Sequence, residues 1–162
     1  VVKSPSHTKE NQPTVYVSPL PNLILPPLFP PSSPTYHTLA KSLHQQAICH
    51  CTDCRKISGS AFSTNIIVPT SSFSLLTGTP KKYSATADSG RKVTTVFCDN
   101  CGSSLWREGD MSTAEGILVV RVGVLDGREA LEEGGPKAEV YTCERAKWLG
   151  EREGVEQFEK FF

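Results

Sequence analysis

No stretch of this chain is apolar for long enough to cross a membrane as a helix. The most apolar early run, Leu23 to Phe29, is short and cut by Pro26 and Pro27, whereas a spanning helix takes roughly 20 apolar residues. Net charge is also lacking: 17 basic residues balance 17 acidic ones over 162 residues, with no basic block or stripe. That balance argues against an electrostatically driven nucleic-acid partner or an anionic membrane surface. The opening Val1-Val2-Lys3-Ser4-Pro5 lacks the pattern of a secretory leader, so a reducing compartment, cytoplasmic or nuclear, is expected. There, six cysteines favour metal ligation or free thiols over disulfides. The first residue is not methionine, from which a fragment, a processed product or a misplaced gene boundary is expected. Cysteine is missing before Cys49, and charge nearly so: only Lys3, Lys9, Glu10 and Lys41 precede it.

Proline fills that space. Nine of the 12 prolines fall in residues 1–34. Each fixes φ and removes an amide donor, so such a segment can neither continue a helix nor sit in a central strand. Residues 1–35 are expected to be a disordered or extended Pro-rich tail, followed by a short helix over 36–47. From there to residue 160 the chain reads as one domain.

This domain is expected to be mainly β. Phe62, Thr64, Ile66 and Val68 alternate with polar Ser63 and Asn65 before Pro69 stops the run, and Val93, Thr95 and Phe97 alternate into Cys98. Ile117 to Leu125 is a valine-rich run broken only by Arg121 and Gly123, which suits a buried strand. Shorter strands are expected at 73–76, 82–85, 103–106 and 140–143. Turns are expected at 77–80, 88–90, 107–110 and 126–127, each marked by glycine. This cadence predicts a small antiparallel fold. Trp148, Val155, Phe158 and Phe162 suggest a broken helix at the end.

The cysteines carry the chemistry. Cys51-Thr52-Asp53-Cys54 and Cys98-Asp99-Asn100-Cys101-Gly102 are two Cys-x-x-Cys loops, and Gly102 suits the positive φ that turns a chain back around a metal. One such loop is equally a redox motif. Cys49, two residues before Cys51, is surplus to a redox pair, and three thiolates on one zinc leave a fourth position for water or substrate. Arg55 and Lys56 either help keep these thiols deprotonated or are plain surface charge. His50 is a spacer or a ligand, with the exposed spacer favoured. Cys143 reads as a buried apolar thiol.

The run Cys49-His50-Cys51-Thr52-Asp53-Cys54-Arg55-Lys56-Ile57-Ser58-Gly59-Ser60-Ala61-Phe62 resembles the signature of the glutathione-dependent formaldehyde-activating enzyme family, also called the CENP-V/GFA domain. The likeness continues through Phe73, Gly78, Tyr83 and Ser89-Gly90, then Phe97 to Trp106 and Val122 to Asp126. Loosely, it takes in Trp148 and Gln157-Phe158-Glu159, and it covers about residues 48–160.

The resemblance implies an Mss4-like fold of antiparallel β-sheets stapled by zinc. It implies that Cys49, Cys51 and Cys54 hold the zinc associated with activity and that Cys98 and Cys101 are half of a structural zinc site. It further implies a carbon–sulfur lyase acting on a glutathione–aldehyde adduct such as S-hydroxymethylglutathione, with glutathione as co-substrate. A small-molecule thiol or aldehyde adduct is the expected partner. A non-catalytic zinc-stabilised binding module and a truncated inactive family member are the alternatives. Family members carry an early Cys-x-Cys that completes the structural site, and this chain has none. His37 and His44 are substitute ligands to consider. A misplaced exon boundary upstream of Cys49, or a divergent member with a vacant second site, would account for the gap. Either implies lower stability than a complete member.

Overall fold

Period-two alternation puts every second residue of a strand on the same face, so a row of apolar partners across several strands makes a core. The computed structural model describes residues 15–17, 45–75, 78–87, 89–114, 116–125, 132 and 135–160, and it contains such a row. Ile66, Val120, Trp106 and Val96 lie side by side on four neighbouring strands, each buried. Val68, Leu118, Leu105, Val122 and Cys98 complete this core, and the Phe73 ring packs on Trp106 at 4.9 Å between centroids.

The strands in chain order are β1 (Val15–Val17), β2 (Gln45–Cys49), β3 (Ser63–Pro69), β4 (Phe73–Leu75), β5 (Lys81–Thr86) and β6 (Lys92–Phe97). They continue with β7 (Ser104–Gly109), β8 (Ile117–Arg121), β9 (Pro136–Val140) and β10 (Glu156–Phe158). Short helices α1 (Thr52–Ser58) and α2 (Asp110–Ala114) interrupt them. Eight strands form one sheet in the order β10-β9-β2-β3-β8-β7-β6-β5. Residues 15–17 of the Pro-rich segment form β1, which pairs antiparallel with β4.

The mainly β expectation therefore holds, with one difference. The sheet is mixed: β9 runs parallel to both β2 and β10, while β2 through β5 in the sheet order pair antiparallel. Parallel partners need a long connection. β9 inserts beside β2 only after the chain has made six intervening strands.

Several boundaries differ from expectation. Residues 45–47, assigned to a helix, belong to β2, and residues 36–44, with His37 and His44, lie outside the described residues. The run from Ile117 ends as a strand at Arg121. Val122–Val124 tighten into a 3-10 turn around Gly123, a residue that packs nothing in a strand. The strand expected at 140–143 instead ends at Val140, where Tyr141 takes a left-handed conformation (φ 57°) and Thr142–Glu144 turn. The turn expected at 107–110 is strand to Gly109, then α2, because the Asp110 carboxylate accepts the Lys92 amide at 2.8 Å and fixes the corner. The broken helix is also replaced. Glu156–Phe158 are a strand, Trp148 is 77% exposed and packs no core, and Phe162 lies outside the described residues.

Candidate metal centre

The face opposite the core carries the site. Ala47, Asn65 and Arg121 are aligned across β2, β3 and β8, and Ile67, Val119 and Arg107 across β3, β8 and β7. At the end of β2 the chain passes from Cys49 through His50 into α1. Cys51 caps that helix: its Sγ accepts the Cys54 amide at 3.4 Å, taking the place of the hydroxyl or carboxylate usual at a helix start. The cap and the first turn bring Cys49, Cys51 and Cys54 together, with their sulfurs within 4.8 Å of one another. Among the described residues these three form the cluster able to hold a metal.

The first turn of α1 is tied down from far along the chain. The Glu144 carboxylate accepts both the Thr52 amide (2.9 Å) and the Thr52 hydroxyl (2.7 Å), satisfying a donor that the helix leaves open. Glu144 reaches it because Tyr141 turns left-handed directly after β9, at a cost of about 1–2 kcal/mol for a non-glycine residue. His50 is neither the exposed spacer favoured above nor a member of the thiol cluster. It is 2% exposed, its Nε2 donates to buried Glu139 at 3.3 Å, and its ring meets Phe62 edge-on. Glu139 also accepts Arg145 (2.6 Å) and faces Arg152 (3.2 Å), and Arg145 goes on to Gln157 of β10. A buried carboxylate survives only with such partners.

The cations beside the sulfurs are not those expected from the adjacent sequence. Arg55 bonds Thr52 and faces Glu144 at 3.7 Å, and Lys56 is exposed. Arg107, from β7, donates its Nη1 to Cys54 Sγ at 3.3 Å. Arg121 lies 6% exposed, donating through Nη1 to Asn65 and through Nε to Ser104. Hydrogen bonds from Cys49 and Cys51, joined by the charges of Arg107 and Arg121, hold the Cys54 thiol far below the usual range despite its burial. Cys49 is pushed far up by its bonds to Cys51 and Cys54 and by burial. Cys51, drawn down by its bond with Cys49 but pushed up by Cys54 and by burial, ends above the ordinary thiol value. Without metal, one thiolate is thus held by two thiols and an arginine.

All three cysteines line a cavity of about 160 Å³, whose apolar walls include Ile67, Val119, Ile117 and Val140. A residue pattern, a fold and a cavity now stand together. The family model of the glutathione-dependent formaldehyde-activating enzyme matches residues 35–144, more than half the chain. The chain belongs to this family. The match takes in β2 upstream of Cys49 and reaches the Glu144 that anchors α1. No curated relative matches it.

The second cysteine loop lies elsewhere in this family member. Buried Cys98 and half-buried Cys101 edge the main core, in a turn closed by Gly102 donating to Cys98 (2.9 Å) with φ +75°, as Gly102 was expected to do. The Ser103 hydroxyl, 3.2 Å from Cys101 Sγ, draws that thiol down. Cys143 is exposed, not buried, and its thiol meets the Glu159 carbonyl at 2.9 Å. Sequence reasoning missed Arg107, Arg121, Glu139 and Glu144. One signal was present: a charge in the middle of a valine run read as buried needs a partner. No helix among the described residues is long and apolar enough to cross a membrane.

Proposed function

We propose that the protein is a zinc-dependent enzyme of carbon–sulfur lyase type, acting on a glutathione–aldehyde adduct such as S-hydroxymethylglutathione. The observation that carries this reading is the convergence of three thiols on the wall of one cavity. The donor set suits zinc: soft sulfurs, a count of three, and two nearby cations able to steady thiolates. Bound there, zinc would supply Lewis acidity, favouring a substrate thiolate and polarising a carbonyl oxygen.

The chain's own residues do the rest. Cys54 is held deprotonated and so takes up metal without first losing a proton. Arg107 fixes the Cys54 sulfur from the cavity side, and Glu144 fixes the helix that presents Cys51 and Cys54. Ile67, Val119 and Ile117 give walls that exclude water from the reacting groups, which limits hydrolysis of the aldehyde adduct. Cys98 and Cys101 are proposed as two ligands of a second, structural zinc, bound weakly because two thiolates do not complete a tetrahedral site.

Metal analysis of the purified chain is expected to give one firmly held zinc, lost on Cys54→Ser together with turnover of formaldehyde plus glutathione. Equal turnover by the metal-free protein would sink the proposal. Zinc bound without any response to glutathione, read from the spectrum of the cobalt-substituted protein, would favour a binding module.

A further inference from the structure

His50 stands between two thiols of the metal loop, Cys49 and Cys51, and is held twice. Its amide donates to the Val140 carbonyl at 3.1 Å, and its Nε2 donates to Glu139 Oε2 at 3.3 Å. Its Nδ1 is buried with no partner among the described residues, so Glu139 is the polar tether of the ring. One residue joins the two cysteines, so a rotation about its φ or ψ moves one sulfur relative to the other. Whatever holds Glu139 therefore bears on the spacing of those sulfurs.

A carboxylate 1% exposed needs cations against it. Among the described residues these are Arg145, whose Nη1 donates to Oε2 at 2.6 Å, and Arg152, whose Nε lies 3.2 Å from Oε1. Arg152 is half exposed and its attraction is screened by water, whereas Arg145 is mostly buried and the closer of the two. The same Nη1 of Arg145 donates to Gln157 Oε1 at 2.9 Å, which ties the pair to β10. Packing runs alongside: Phe158 pairs with Val140 across the strands and lies against the cluster of Val140, Cys49 and Cys54. The family match ends at residue 144, so Arg145, Arg152, Gln157 and Phe158 all come after it.

We infer that Arg145 is a positioning residue of the metal centre. It holds the Glu139 carboxylate, and through it His50, so that Cys49 and Cys51 keep the spacing a metal needs. The segment after the family match thus belongs to the working metal site. This rests on the metal reading proposed above, but not on the lyase reaction.

Competition for zinc between the full chain and a chromophoric chelator tests this directly. Arg145→Met is expected to hold zinc about tenfold less tightly than the wild type. Arg145→Lys should fall between, since an ammonium restores the charge but not the planar fork. The spectrum of the cobalt-substituted protein should change in Arg145→Met as the sulfurs shift. Leu118→Ala, in the core on the opposite sheet face, controls for plain loss of stability and should keep the wild-type spectrum. If Arg145→Met does not fold, Gln157→Ala decides. It leaves every charge in place and is expected to weaken zinc by about threefold. Zinc held as tightly in Arg145→Met as in Leu118→Ala, or unchanged in Gln157→Ala, would overturn the inference and leave the metal site standing. A wild-type chain that takes up no zinc would overturn both.

Discussion

Three sulfurs within 4.8 Å cannot all be bare thiolates in a half-buried site, and the metal-free cluster resolves this by sharing protons. Cys49 and Cys51 lie above the ordinary thiol value and keep their protons at neutral pH, whereas Cys54 lies far below it and has lost its own. Metal binding through three thiolates must then release the protons of Cys49 and Cys51 only. Zinc affinity is expected to rise with pH from neutral upward, by roughly 100-fold per unit while both protons are coupled. Calorimetry in buffers of differing ionisation heat should report about two protons released per zinc. Three would show that Cys54 is an ordinary thiol and that Arg107 does nothing for it. The cysteines themselves were legible because their spacing is local: one short loop carries all three. Arg107 was not, since only the register of β7 on β8 sets it beside Cys54. His50 illustrates the same limit. The alternation of a strand says that it leaves the cysteines, but only the parallel arrival of β9 supplies Glu139 to receive it.

At the level of elements, the site depends on the corner between β6, β7 and α2. Gly109 pairs with Val93 and has φ +142°, and a Cβ placed there would stand 2.3 Å from the Lys92 carbonyl oxygen. The obstruction is backbone, so it cannot swing aside. Gly109→Ala is expected to cost about 1–3 kcal/mol by denaturant unfolding and to disturb the cavity wall formed by Lys92 and Val93. Gly123→Ala is the control. Its Cβ would meet nothing within 4 Å and its φ is not in the left-handed range, so stability should stay within about 0.5 kcal/mol. An equal loss in both variants would mean that the corner holds no particular strain. Element types with strong alternation, β3 and β6, could be read from sequence to within a residue or two. α1 could not. Its seven residues show no apolar stripe, and its cap is a cysteine that also belongs to the metal cluster. β9 and β10 were obscured for another reason: parallel strands at the edge of a mixed sheet leave no turn motif between them.

For the whole molecule, the sheet has two faces with different dependencies. The core face is apolar and closes on itself through Ile66, Val120, Trp106 and Val96. The other face gathers the three cysteines and two buried or half-buried arginines, and a metal held by the cysteines would add to its stability. A ligand bound only by the folded state stabilises it by about 4 kcal/mol at a thousandfold excess over its dissociation constant. Stripping zinc with a chelator is therefore expected to lower the melting temperature by several degrees, and restoring one equivalent to recover it. The same treatment should leave Cys54→Ser nearly unmoved. An unaltered transition in the wild type would mean that the cluster is not a metal site. Fold class and the identity of the cluster were accessible from spacing and alternation. The mixed sheet order was not, because nothing in the composition of residues 136–140 specifies β2 as their neighbour.

Sequence separation across the site has a kinetic consequence. Cys49, Cys51 and Cys54 lie within six consecutive residues, while the groups that brace them, Glu139 for His50 and Glu144 for Thr52, come 89 and 92 positions later. During synthesis the three thiols emerge together, long before their braces exist. The metal loop can close at once, for the entropy of a short ring, whereas the bracing contacts wait for a loop of some ninety residues and the strands within it. Capture of a metal by the three thiols would thus belong to the early, local phase of folding, and insertion of β9 beside β2 to a late one. A nascent chain arrested before residue 136 is expected to bind zinc already, with the part of the cavity wall that Val140 of β9 supplies still missing.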